Sequence, residues 1–259
     1  MRVKTKRILF VYSMLVFLFF YIPMIVLMIF SFNDSKLGTV WTGFTFDWYF
    51  KLIHDEQIIN ALKNSIIVTM ITTLIASILG TLAALAIHRY KFFGKQVVNF
   101  LFYIPVVIPD IVVGVALLAI YGWLHVTLGV PTVIPGHVVI TTSYVMLVVV
   151  ARLYGFDSSL EEAAKDLGAN SWQTFWKVTF PLIFPGVLAG ALMAFTISLD
   201  EFVIAFFNTG PGSGTLPVLI YSMVRKGVSP EINALSTIMI FFIVIMVLVV
   251  GKRMTQTKK

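Results

Sequence analysis

Cysteine is absent from the 259 residues, which excludes disulfides, thiolate metal sites and cysteine nucleophiles. Charge is scarce as well: Asp, Glu, Lys and Arg make up 12% of the chain, about half the share of an ordinary soluble domain. With 59% apolar residues and a mean hydropathy of +0.95, too little polar surface exists to solvate a globule. The four histidines, His54, His88, His125 and His137, show no ligand spacing, so no metal is expected. A phosphate loop is missing too. Gly94-Lys95 is preceded by Arg89 where that motif needs glycine and followed by Gln96 where it needs Ser or Thr. An enzyme with its own ATPase site is therefore not expected. The net charge of +7 comes from short basic clusters separated by long uncharged runs, a pattern that points to a membrane and not to nucleic acid.

Crossing roughly 30 Å of hydrocarbon takes about 20 mostly apolar residues in a helix. Six stretches meet this: about 8–32, 65–87, 96–123, 132–150, 182–207 and 232–250. The uncharged run 111–151 is too long for one helix, and Gly129, Pro131, Pro135 and Gly136 divide it. Basic residues before the first span suggest a secretory signal, but its apolar run is too long and no small-residue cleavage pattern comes after it, so a retained anchor is expected. Of the 19 Lys and Arg, 14 lie at the two termini and in the second and fourth loops. The positive-inside rule then places both termini and loop four in the cytoplasm. Ala76, Gly80 and Ala84, and again Gly186, Gly190 and Ala194, form small-residue ridges that let helix backbones approach closely. The expected fold is an all-α integral membrane bundle of six helices, a single transmembrane domain.

Loop four, 152–181, is long enough to do more than connect. Asp157 and Ser158 suit a helix start, Glu161 and Glu162 favour its first-turn dipole, and Gly168 suits the left-handed residue that ends it. A second short helix capped by Asn170 or Ser171 should lie along the membrane interface, until Pro181 and Pro185 turn the chain into the fifth span. Glu162, Ala163 and Ala164, then Gly168 and Pro181, resemble the EAA motif of permease subunits of bacterial ABC importers. Where that motif normally shows isoleucine and leucine, Val178 and Phe180 keep the face apolar. The resemblance implies the type I importer permease fold. It also implies that this loop is a coupling helix docked on a separate ATPase.

Carboxylates within a bilayer are costly and default to functional roles. Asp110 lies in the third span within IPVVIPDIVVG, where Pro105 and Pro109 remove backbone donors and are expected to open the helix around the carboxylate, and Asp200 and Glu201 lie in the fifth. Counting about 1.5 Å per residue, Asp110 and Asp200 each lie roughly 20 Å from the cytoplasmic entrance. Stretches 96–123 and 182–207 contain no Lys or Arg, which favours a cationic passenger over an oxyanion. Two plainer readings stay open: Asp110 as a structural carboxylate bonded to backbone amides freed by proline, and Asp200 with Glu201 as a helix end at the outer surface.

YIPMIVLMIFSFNDS, FTFDWYFKLI, IPVVIPDIVVGVALL, EEAAKDLGA and the stretch from Phe195 to Ile238 are similar to the PotC-type permeases of spermidine/putrescine importers. The resemblance implies a heterodimer with a PotB-like permease, an ATPase dimer that holds ATP and Mg, and an extracytoplasmic polyamine-binding protein. No cofactor is then expected on this chain. Where that family's fifth span tends to carry adjacent acids, this sequence has Asp200 and Glu201; with Asp110, read from its place in the third span, they are the candidate substrate-pathway residues, and the resemblance implies Glu162, Ala163, Ala164 and Gly168 for coupling. The alternatives are an importer of another cation or small organic solute, and an ion-coupled carrier, which would usually show internal repeats.

Overall fold

The computed structural model describes residues 2–35, 40–227 and 229–256, so Lys36, Lys258 and Lys259 of the basic count lie outside the described residues. The helices are α1 (Arg2–Phe30), α2 (Asp47–His54), α3 (Glu56–Arg89), α4 (Lys95–Val107), α5 (Asp110–Trp123), α6 (Val130–Leu153), α7 (Ser159–Asp166), α8 (Ser171–Thr174), α9 (Phe180–Asp200), α10 (Val203–Asn208), α11 (Leu216–Lys226) and α12 (Pro230–Gln256), with a π-helical turn Phe175–Thr179 between α8 and α9. Among the described residues there is no strand, only an isolated bridge between Asn33 and Phe44. Four helical stretches are long and apolar enough to cross a membrane, and α4 with α5 makes a fifth as a bent pair. The sixth expected stretch falls on α12, whose apolar part, Pro230–Met246, is shorter.

The chain divides into two compact units, one running up to Ile59 and resuming at Ile220, the other Asn60–Leu219. In the first, α1 exposes apolar side chains from Ile8 to Ile29, as a helix facing lipid does. The chain after it folds around Asn33. That buried side chain donates to the Val40 carbonyl at 2.8 Å and accepts from the Thr42 N–H at 3.0 Å, while Trp48 Nε1 donates to the Asn33 carbonyl at 2.7 Å. Phe32 stacks on Phe44 with ring centroids 5.3 Å apart.

The second unit is built around α6, buried from Thr132 to Leu153 on most of its faces. Gly80 of α3 and Gly190 of α9 both face Val145 of α6, so close that an added β-carbon would lie 2.7 Å and 3.1 Å from its side chain. Ala76, Ala84 and Ala194 are fully buried beside them. Both small-residue ridges thus do in this fold what their spacing suggests. They admit a β-branched side chain between backbones, where dispersion needs contact at close range.

Two expected spans are not continuous helices. The third breaks at Ile108 and Pro109, and α4 and α5 meet at 103°. Pro109 lacks an N–H, and its ring disfavours the helical conformation at Ile108, which sits at ψ 133°. The fifth stops at Asp200: Glu201 is extended (ψ 106°) and α10 starts afresh at Val203. A third difference lies before it. Neither Pro181 nor Pro185 turns the chain. Helix runs on from Ser171 to Asp200, 30 residues. The π turn explains this: the Phe180 N–H donates back five residues to the Phe175 carbonyl, and the widened turn takes up the clash that the Pro181 ring would otherwise make with the carbonyl of Lys177.

Candidate functional site

The two breaks bring acidic residues together. Asp110 is the first residue of α5, half-buried just after the bend, while Asp200 ends α9 and Glu201 comes next in extended backbone. Glu201 adjoins Asp200, and α10, which begins just after it, packs on α5, whose first residue is Asp110. The Oε1 of Glu201 accepts from the Ile204 N–H at 2.8 Å, so Glu201 caps α10 as well as carrying charge. Among the described residues no hydrogen-bond donor meets the carboxylate of Asp110 or Asp200, and the Val112 N–H in the first turn of α5 bonds the Pro109 carbonyl at 2.9 Å. The geometry therefore gives Asp110 no backbone amide as a partner.

What holds the breaks in register is polar and had no local signal. Gly114, one turn after Asp110, lets α10 approach until an added β-carbon would lie 3.4 Å from the Ile204 backbone. Buried Asn208 donates to the carbonyls of Gly114 (3.1 Å) and Ile204 (2.9 Å). Thr132 Oγ1 donates to the Asn208 carbonyl at 2.7 Å, and His137 Nδ1 meets Ser198 Oγ at 2.9 Å. Polar groups in an apolar interior are held to their partners because no water competes. These bonds tie α5, α6, α9 and α10 around the acidic cluster.

At the other end of the 30-residue helix lies loop four. Asp157 Oδ1 accepts from the Ser159 N–H at 3.0 Å, and the bonds from Ser159 hold this carboxyl below its ordinary range. α7 comes next and closes at Gly168, whose φ is +88°. Asn170 caps α8, accepting from the Gln173 N–H at 2.9 Å while Gln173 Oε1 accepts from the Asn170 N–H at 3.1 Å, a reciprocal box. Glu162 and Ala163 are exposed and Ala164 is half-buried. Leu167, Trp172 and Trp176 expose large apolar surfaces, Leu167 to 90%. The acid that turns inward is Glu161. It pairs with Arg89 at the end of α3 and accepts from the Thr179 hydroxyl, which itself accepts from Arg89 at 3.1 Å. Local pattern places Glu161 only at a helix start, and its partner lies 72 residues away.

Residues 76–254 match the family described as binding-protein-dependent transport system inner membrane component. The chain is 43% identical over 231 residues to the putrescine transport system permease PotI of Escherichia coli K12, covering 86% of this chain and 82% of that one. It is 39% identical over 233 residues to the spermidine/putrescine transport system permease PotC of the same organism, covering 90% and 88%. In fold it superposes on a chain of a bacterial ABC transporter involved in the import of alginate, with TM-score 0.76, 21% identity and full coverage of both chains. A chain of an amino acid ABC transporter gives TM-score 0.59 at 16% identity, over 82% of this chain and 98% of that one. A multi-pass bundle with broken helices, a small-residue core and a match over most of its length, this chain belongs to the family of inner membrane components of binding-protein-dependent transport systems.

Proposed function

We propose that the chain is the permease subunit of an ATP-driven importer of polyamines, putrescine or spermidine, and that Asp110, Asp200 and Glu201 receive the ammonium groups in transit. One observation carries the reading: acids from two membrane helices stand where both helices break, the breaks are joined by the packing of α10 on α5, and the stretches hold no Lys or Arg. Broken helices supply polar termini at membrane depth where a substrate is desolvated. A chain of methylenes with a charge at each end suits a cluster of acids in apolar walls. The identity to permeases named for putrescine and spermidine supports the same substrate class.

In this reading a PotB-like permease completes the pathway, and an extracytoplasmic polyamine-binding protein delivers the substrate. An ATPase dimer binds ATP and Mg on the cytoplasmic side, where both termini and loop four lie. Glu162, Ala163, Ala164 and the turn at Gly168 shape the surface that docks on the ATPase, with exposed Leu167 and Trp172 as its apolar part. Closure of the ATPase dimer would displace loop four. Because helix is unbroken from Ser171 to Asp200, about 45 Å at 1.5 Å per residue, that displacement would reach the carboxylates without a flexible joint.

The test is uptake by the purified complex in vesicles with ATP and no ion gradient. Asp200→Asn, Asp110→Asn and Glu201→Gln should each lower polyamine uptake, the Asp200 change most, while assembly and ATP hydrolysis persist. Gln keeps an acceptor for the Ile204 N–H, so Glu201→Gln isolates the charge from the cap. Unchanged uptake after neutralising all three would refute the carboxylate pathway. Uptake that needs an ion gradient but not ATP would support a carrier instead.

A further inference from the structure

We infer that Arg89, Glu161 and Thr179 form a positioning latch that makes loop four move as one body with α3 and α9, and that this latch, more than the docking surface alone, sets how much ATP is hydrolysed per substrate imported. The inference rests on the transport function proposed for the chain and deepens it.

Three separate segments converge on one guanidinium. Arg89 ends α3 and reaches Glu161 in the first turn of α7, the Thr179 hydroxyl at the end of the π turn, and the face of Phe156, 6.0 Å away, in the connection between α6 and α7. Thr179 donates in turn to Glu161, so donors and acceptors close a three-cornered network. The Glu161 side chain is 15% exposed and that of Arg89 27%, and Thr179 is fully buried. Such shielding strengthens charge-assisted bonds and makes an orphaned partner costly. A second arginine clasps the base of the loop. Arg152 Nε donates to the Leu182 carbonyl at 3.2 Å, and its stem lies over Gly186, where an added β-carbon would sit 2.7 Å from it.

The consequence is mechanical. α7 is only eight residues long and shows no buried residue, so packing gives it little hold. Without the latch a push on its exposed face would swing α7 about the connection to α6. With the latch the push passes through Glu161 to Thr179, directly at the head of α9, and through Arg89 to α3. Adjacent glutamates thus have different work: Glu162 faces outward and Glu161 locks inward.

The test uses the assembled transporter in vesicles, measuring ATP hydrolysed per polyamine imported. Arg89→Gln and Glu161→Gln should each raise that ratio about tenfold, the size of losing a charge-assisted bond, with the ATPase still bound. The exchange Arg89→Glu with Glu161→Arg should bring the ratio back to within about threefold of the original, as a restored pair does in a double-mutant cycle. Thr179→Ser should behave as the native chain and Thr179→Val should not, since only the hydroxyl bridges. An unchanged ratio in both single variants would overturn the latch. So would variants that fail to assemble and are not rescued by the exchange, which would mark a fold contribution and no coupling role. If the unaltered complex shows no ATP-driven polyamine uptake, it is the transport function that fails, and that result is distinct from failure of the latch.

Discussion

Gly80→Ala adds one methyl group where α3 meets Val145 and Thr142 of α6. The new β-carbon would lie 2.7 Å from Val145 Cβ, 2.8 Å from Val145 Cγ1 and 2.9 Å from the Thr142 carbonyl. Two of these three neighbours are a β-carbon and a backbone oxygen, which no rotamer change moves, so the helices must separate by about half an ångström or more. Overpacking of this kind costs about 1–3 kcal/mol. Alanine's better helix propensity returns at most about 1 kcal/mol, leaving a net loss of about 1–2 kcal/mol. Gly190→Ala probes the other side of the same valine. Its β-carbon would lie 3.1 Å from Val145 Cγ1 and 3.3 Å from Val145 Cα, gaps that relax by a few tenths of an ångström, so that substitution should be neutral within about 0.5 kcal/mol once propensity is counted. Unfolding of the purified transporter in mixed micelles, followed by tryptophan fluorescence, measures both. Val145→Ala should not rescue Gly80→Ala, because the Val145 β-carbon and the Thr142 carbonyl stay where they are. Equal stability of the two glycine variants, or rescue of Gly80→Ala by Val145→Ala, would refute the contact geometry.

The turn at Gly168 gives a second expectation. Its positive φ has no atom within 4 Å of an added β-carbon, so the cost of a side chain is purely conformational, about 1–2 kcal/mol; Gly168→Val should weaken ATPase co-purification while Gly168→Asn, tolerant of left-handed backbone, retains it. Glu162→Lys should also weaken co-purification through the exposed face, without lowering the amount of protein in the membrane; full co-purification of Glu162→Lys and Gly168→Val would sink the docking assignment. Orientation is tested with single cysteines, which need no background removal because the native chain has none. A cysteine at Ser213 should react with an impermeant reagent in intact cells and one at Ser171 should not, and the reverse pattern would invert the topology.

Membrane residence, the apolar stretches and the shape of loop four were readable from the chain because each is decided within a few residues. Hydrocarbon thickness converts an uncharged run into a span, Asp157 and Asn170 can cap only the helix that starts immediately after them, and Gly168 is the residue that a left-handed turn admits at no steric cost. The break at Pro109 belongs to this class, since proline removes a donor wherever it stands. The break at Glu201 does not. No proline or glycine lies between Leu199 and Phe202, and the helix ends there because Gly114 lets α10 dock on α5 and Asn208 bonds across the contact. The opposite happens at Pro181, a strong local stop that the π turn absorbs. The choice between neighbouring acids was also out of reach: Glu161 and Glu162 have the same local chemistry, and only the arrival of Arg89 and Thr179 from distant segments separates the one that locks from the one that faces outward. Backbone conformation answers to neighbours in sequence, whereas a buried hydrogen bond or ion pair answers to whatever the packed fold brings within 3 Å or so, and that is information no local pattern carries.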